Sequence, residues 1–89
     1  MTLCRVVGTV VATVKHESLE GRTLLICQPV HPESKTPIGG RMIAVDTVQA
    51  GVGDTVLVID EGNAARRILG DPGAPIRTVV AGIVDEVEV

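Results

Sequence analysis

No Phe, Tyr or Trp occurs anywhere in these 89 residues, although 45% of them are hydrophobic. A small domain ordinarily fills its centre with aromatic rings, because each covers a large area. This core must instead be assembled from Val, Ile, Leu and Ala. Val and Ile are stiff at χ1 and suit a pleated surface better than a helix, so a mostly β fold is expected. The length allows one domain over residues 1–89, which would bury roughly 60% of the surface its unfolded chain exposes. The aliphatic excess is more than so small a body needs, which implies that a partner chain covers part of it.

Five segments read as strands, at 4–14, 23–29, 42–48, 55–60 and 79–89, each bounded by Gly, Pro, Asp or Ser. Simple alternation puts Val6, Val10, Ala12 and Val14 on one face of the first strand. The other face takes Val7 and Val11 with Thr9 and Thr13. Two apolar faces imply that one lines a barrel and the other meets something else. Gly8 marks a bend or bulge. A short helix is expected over 62–70, with Asn63 as N-cap, Gly70 in the left-handed C-terminal position and Pro72 preventing continuation. Two turns are not stable alone, so Ala65, Ile68 and Leu69 are expected to pack against a barrel end. Residues 29–40 hold three prolines and two glycines and read as an exposed, mobile loop. The pattern is that of an all-β, five-stranded OB-like barrel with one short α-helix; a small sandwich competes.

Composition excludes several functions. The net charge is −3 and no lysine-arginine block occurs, whereas nucleic-acid binding draws on a basic footprint. Single-strand binders also stack bases on aromatic rings, and here there are none. Cys4, Cys27, His16 and His31 do not have zinc-ligand spacing, so the cysteines read as buried, reduced strand residues and His16 as a solvated loop residue. The apolar runs fall short of a membrane span, and the first residues lack the pattern of a signal peptide. The expectation is a soluble, cytoplasmic chain.

Gly51-Val52-Gly53-Asp54 reads as a tight turn. A phosphate cradle would open onto a helix N-terminus, whereas this segment enters a strand and places an acid where phosphate would sit. Asp46 interrupts an apolar strand and needs a partner if buried, either an ion pair or hydrogen bonds, with Arg66 as the expected partner. No nucleophile with a base, acid pair or metal set can be assembled, so neither catalysis nor a cofactor nor a metal is expected.

The segments Val7-Gly8-Thr9-Val10-Val11-Ala12-Thr13 with Lys15, and Leu19 to Leu25, resemble the pentameric vertex proteins of bacterial microcompartments. So do Ala44 to Asp54, Gly62-Asn63-Ala64-Ala65-Arg66 and Ile83-Val84-Asp85, in the same order along nearly the whole chain. The resemblance implies an OB-like barrel in a homopentameric disk, set among hexameric shell tiles at the corner of a cytoplasmic protein shell. By that resemblance, Val11, Thr13, Lys15, Asp46, Gln49, Ala50, Gly51, Gly53, Asn63, Ala64, Ala65 and Arg66 would lie at the subunit interface or a narrow central opening. A contact that closes such a ring joins two different patches. An OB-type module for a small ligand or peptide is the second reading, and an enzyme a distant third.

Overall fold

The structure, a computed structural model, describes residues 1–11, 21–70 and 77–85, apart from the side chains of Arg66 and Leu69. Five strands form a closed barrel: β1 (Thr2–Val10), β2 (Thr23–Pro29), β3 (Met42–Asp46), β4 (Thr55–Asp60) and β5 (Thr78–Ile83). Helix α1 (Gly62–Leu69) joins β4 to β5. Neighbours around the barrel run β1-β2-β3-β5-β4 and back to β1. All pairs are antiparallel except β3 with β5, which is parallel. The β3–β5 seam that closes the barrel is short, with Val45 opposite Val79 and Asp46 opposite Val80.

The interior is aliphatic and sulfur-bearing. Cys4, Val6, Leu25, Cys27, Ala44, Val56, Val58 and Val80 form one buried cluster, with Met42, Val48 and Ala50 packed against it. Consecutive residues are buried at two places, Ala44 with Val45 and Val79 with Val80. Alternation sends one of each pair inward and the other outward. The outward pair, Val45 and Val79, are register partners in β3 and β5. Helix α1 packs against β4 and β5, and its Ala65 is fully buried. Part of the aliphatic surplus is thus covered by the chain's own helix. Ile68, expected to help hold that helix, stays 42% exposed.

Strand β1 departs from simple alternation. Val6 pairs with Cys27 but Gly8 pairs with Ile26, which leaves Val7 as an extra residue in a bulge. One extra residue inverts the faces beyond it. By register Thr9 therefore falls opposite the buried Leu25 and Val10 opposite Leu24, so Val6 and Val10 do not share a face; Thr9 itself is exposed and Val10 half-buried. Gly8 allows the strands to lie close, since a Cβ there would meet Cδ1 of Ile26 at 3.3 Å. Residues 12–14, 71–76 and 86–89, with the expected ends of the first and fifth strands and Pro72, lie outside the described residues.

The loop expected to be mobile carries its own hydrogen bonds. Val30 bridges Pro37, the His31 amide donates to Thr36 O at 2.9 Å, and Ile38 N donates to Pro29 O at 2.8 Å. Gln28 Nε2 reaches Pro29 O at 3.0 Å and Gly39 O at 3.2 Å, tying the loop to β2.

Both cysteines are free and buried. Burial, with the neighbouring Cys27 adding to it, pushes the Cys4 thiol from 9.0 up to about 11. Burial and then Asp46 also raise Cys27. Above pH 9 the unfolded chain releases protons that the native chain keeps, so stability is full below that pH and falls as pH rises toward 11. Cys4 alone is expected to remove about 2 kcal/mol across that window. Urea unfolding at a series of alkaline pH values checks this, and Cys4→Ala should flatten the decline.

Candidate assembly surface

The turn after β3 is built by carboxylates. Asp46 Oδ1 accepts from the amides of Val48 at 3.0 Å and Ala50 at 3.3 Å. These local bonds take the place of ladder partners, so β3 ends at Asp46 and does not run on to Val48. Thr47 Oγ1 donates to Val80 O at 2.7 Å, which fastens the turn to β5. Gln49 adopts φ 59°, an uncommon left-handed value for a residue other than glycine. The partner of Asp46 is thus the backbone; the side chain of Arg66, its expected ion-pair partner, is not among the described residues. Asp46→Ala is expected to cost about 1–2 kcal/mol, because both amides lose a charged acceptor. Asp46→Asn keeps an acceptor oxygen and should cost less, as read by denaturant midpoints.

A second turn follows directly. Asp54 Oδ2 accepts from the Gly51 amide at 2.8 Å, and the Asp54 amide donates to Gly51 O at 3.0 Å. Gly53, at φ 96°, takes a conformation in which a side chain would be strained. Its amide donates to Val6 O at 2.8 Å while Val6 N donates to Asp54 O at 2.9 Å, beside the β1 bulge. The Gly51 and Gly53 amides are therefore engaged within the protein, as a tight turn requires. Between the two glycines, Val52 is 66% exposed.

The helix start is capped two residues earlier than Asn63. The Glu61 carboxylate accepts from the amides of Asn63 at 2.7 Å and Ala64 at 2.8 Å, and Ala65 N donates to Glu61 O at 2.9 Å. Glu61 is the N-cap and Asn63 is an exposed first-turn residue. A glutamate reaches the two amides that a shorter cap would serve, and its charge suits the helix N-terminus. Gly70 closes the helix at φ 72° as expected.

The expected interface residues fall into two places. Register puts Val10 opposite Leu24, Leu24 opposite Val45, and Thr23 opposite Asp46. Val11, which is 98% exposed, therefore lies at the same barrel end as Asp46 and the turn through Gln49, Ala50, Gly51 and Gly53. A shallow polar cleft of about 430 Å³, lined by Arg22, Thr23, Asp46 and Gln49 among others, opens beside that turn. Asn63, Ala64 and Ala65 sit beyond the other end of β4, roughly 20 Å from Gly53 along a six-residue strand, whereas Asp46 lies level with Val80 and, through it, with Val58 near the helix end of β4. Of these, Ala65 is buried within its own protomer. Thr13 and Lys15 lie outside the described residues.

Among the exposed aliphatics, Val52 lies within the turn Gln49 to Gly53 that the resemblance puts forward, whereas Ile43 is not singled out by the sequence. Val52 sits in a glycine turn, where polar residues are the rule, and that mismatch was its signal. Ile43, 54% exposed, lies opposite Ile26 on the outer face of β3. Its signal was weaker, since β3 is apolar at four consecutive positions from Met42 to Val45.

Comparison with known proteins adds to this geometry. The family described as ethanolamine utilisation protein EutN/carboxysome matches residues 1–85. The bacterial microcompartment shell vertex protein GrpN of Rhodospirillum rubrum is 42% identical over 88 residues, covering 99% of this chain and 97% of that one. The carboxysome shell vertex protein CcmL of Synechocystis is 39% identical over 89 residues, covering 100% of this chain and 87% of its own. The solved structure of the GrpN pentameric microcompartment shell protein superposes with a TM-score of 0.85, at 42% identity, over 100% of this chain and 99% of that one.

Proposed function

The chain belongs to the EutN/carboxysome family of microcompartment shell vertex proteins, and from that membership we propose that it closes with copies of itself into a pentameric cap at a shell vertex. It is a structural protein, not an enzyme. The observation that carries this reading is the full-length likeness, in sequence and in fold, to a pentameric shell protein. Six-fold tiles make flat sheets, and a closed polyhedron needs five-fold units at its corners. The partners are therefore its own copies and the hexameric tiles of a shell in the cytoplasm.

A closed ring requires a heterologous contact, in which one patch meets a different patch on the next subunit. The placement of the candidate residues supports such a contact. The turn with Gln49 to Gly53 lies at one end of β4 and the helix start at the other, so each subunit offers two unlike ends. The contact proposed here sets the turn of one protomer, with Val52 outermost, near the helix start of its neighbour. A heterologous contact needs no internal symmetry in the chain, and its rotation alone sets the ring size.

Native mass spectrometry of the purified chain tests the assembly directly. A dominant mass of five chains is expected. A monomer or dimer at high concentration would instead favour an OB-type module for a small ligand or peptide. Deleting the protein in its host should leave elongated, unclosed shells.

A further inference from the structure

We propose that Cys4, Cys27 and Met42 form a binding site inside the barrel for a soft monovalent cation, cuprous copper or silver. The site is independent of the ring and would exist in a single protomer. Cys4 and Cys27 are wholly buried in one apolar cluster, and Met42 packs against that cluster. Cys27 is directly opposite Met42 across β2 and β3. Opposite residues share a face, with Cβ atoms about 4.5–5.5 Å apart. Cys4 is opposite Pro29, two residues along β2 from Cys27, and so is its diagonal neighbour on that face. Diagonal positions lie about 7–8 Å apart, somewhat less between Cβ atoms, a gap that the two thiols close on the ion by turning toward each other. Cys27 is thus the central sulfur, with one more on each neighbouring strand.

The chain has two Cys and two Met, and Met1 is 88% exposed at the chain start. The other three sulfur-bearing side chains share the inner face of the barrel. Thiolate and thioether sulfur select soft ions. A metal–sulfur bond of about 2.3 Å, as for zinc, places two sulfurs on the order of 4–5 Å apart across an ion, which suits facing strands. Among the described residues no group of three His, Cys, Asp or Glu comes together, so the four ligands of a structural zinc are lacking.

Charge then selects the valence. No polar or charged side chain is buried among the described residues, so nothing inside compensates an ionic site. When a monovalent ion enters, the S–H bond of one thiol breaks, a sulfur–metal bond forms and the proton leaves to solvent. One thiolate and one cation make a neutral unit, and the second thiol and the thioether add neutral donors. Losing the second proton would leave a net negative charge in the core, which burial away from water opposes. Met42 is the partly exposed member and marks the side of entry.

The test is titration of the full chain with silver nitrate in chloride-free buffer, read by native mass spectrometry and thermal unfolding. One silver ion per chain is expected whatever the ring size, with a mass gain short of the ion's own mass by one proton. The unfolding temperature should rise, because the ion binds the native state. Cys27→Ala should abolish binding. Met42→Leu conserves volume and keeps the fold, and should weaken binding by roughly tenfold to a hundredfold. Silver that lowers the unfolding temperature would reveal capture of thiols in the unfolded chain and overturn the site. Binding retained in the Cys4→Ala/Cys27→Ala double variant, or unweakened in Met42→Leu, would overturn it as well. Ring mass, read in the same spectra, reports on the vertex assignment separately.

Discussion

Ala65→Glu is expected to leave most of the chain unfolded. A domain of 89 residues has roughly 4–13 kcal/mol of stability in all. Ala65 is fully buried on α1, which packs against β4 and β5. A glutamate there adds volume to a filled site, at about 1–3 kcal/mol, and an unpaired charge costs several more. For a domain of this size each kcal/mol moves the unfolding temperature by about 4–8 °C, so a drop of at least roughly 20 °C is expected. Circular dichroism on heating checks it. The ring would vanish too, but as a consequence of the protomer's loss. A variant that melts near the parent temperature would show that the helix does not rest on the barrel through Ala65.

Val52→Asp is expected to do the reverse, dispersing the ring while the barrel survives. The side chain is 66% exposed in the protomer, and the turn is held by Asp46 and Asp54 through backbone amides that the substitution does not touch. Surface changes of this kind usually stay within about 0.5 kcal/mol for the isolated fold. In a ring, the carboxylate would be desolvated at every contact. An unpaired charge at a protein contact costs about 2–5 kcal/mol, and 1.4 kcal/mol is a factor of ten. Single chains should therefore replace pentamers in native mass spectra, with the far-ultraviolet spectrum unchanged. Pentamers that persist would remove the turn from the contact and leave the barrel and the family intact.

These two substitutions separate what is legible in the chain from what is not. Strands β2 and β4 match the expected spans to the residue, because each is a short aliphatic run closed by turn residues on both sides. The end of β3 was harder to see. Asp46 stood out as a polar residue in an apolar run, but only the folded turn reveals that its carboxylate takes the amides of Val48 and Ala50 and so stops the strand. The helix cap shows the same limit. Asn63 is a better cap than Glu61 by residue type, yet the exit from β4 brings Glu61 to the first amides. Ala65 reads both as packed against a barrel end and, by resemblance, as an interface residue, since a small residue suits either place; the structure buries it within its own protomer.

The residues by themselves determined the class of the fold. Stiff aliphatics without a single aromatic ring favour a mostly β fold. What each face of a strand does was decided only by the tertiary structure. A bulge at Val7 reverses every side chain beyond it in β1, and alternation read along a string has no means of registering one unpaired residue. The same holds for the surplus of valine, because burial is a property of what lies across from a side chain. Helix α1 covers one part of that surplus, and Val11, Ile43 and Val52 are left facing outward.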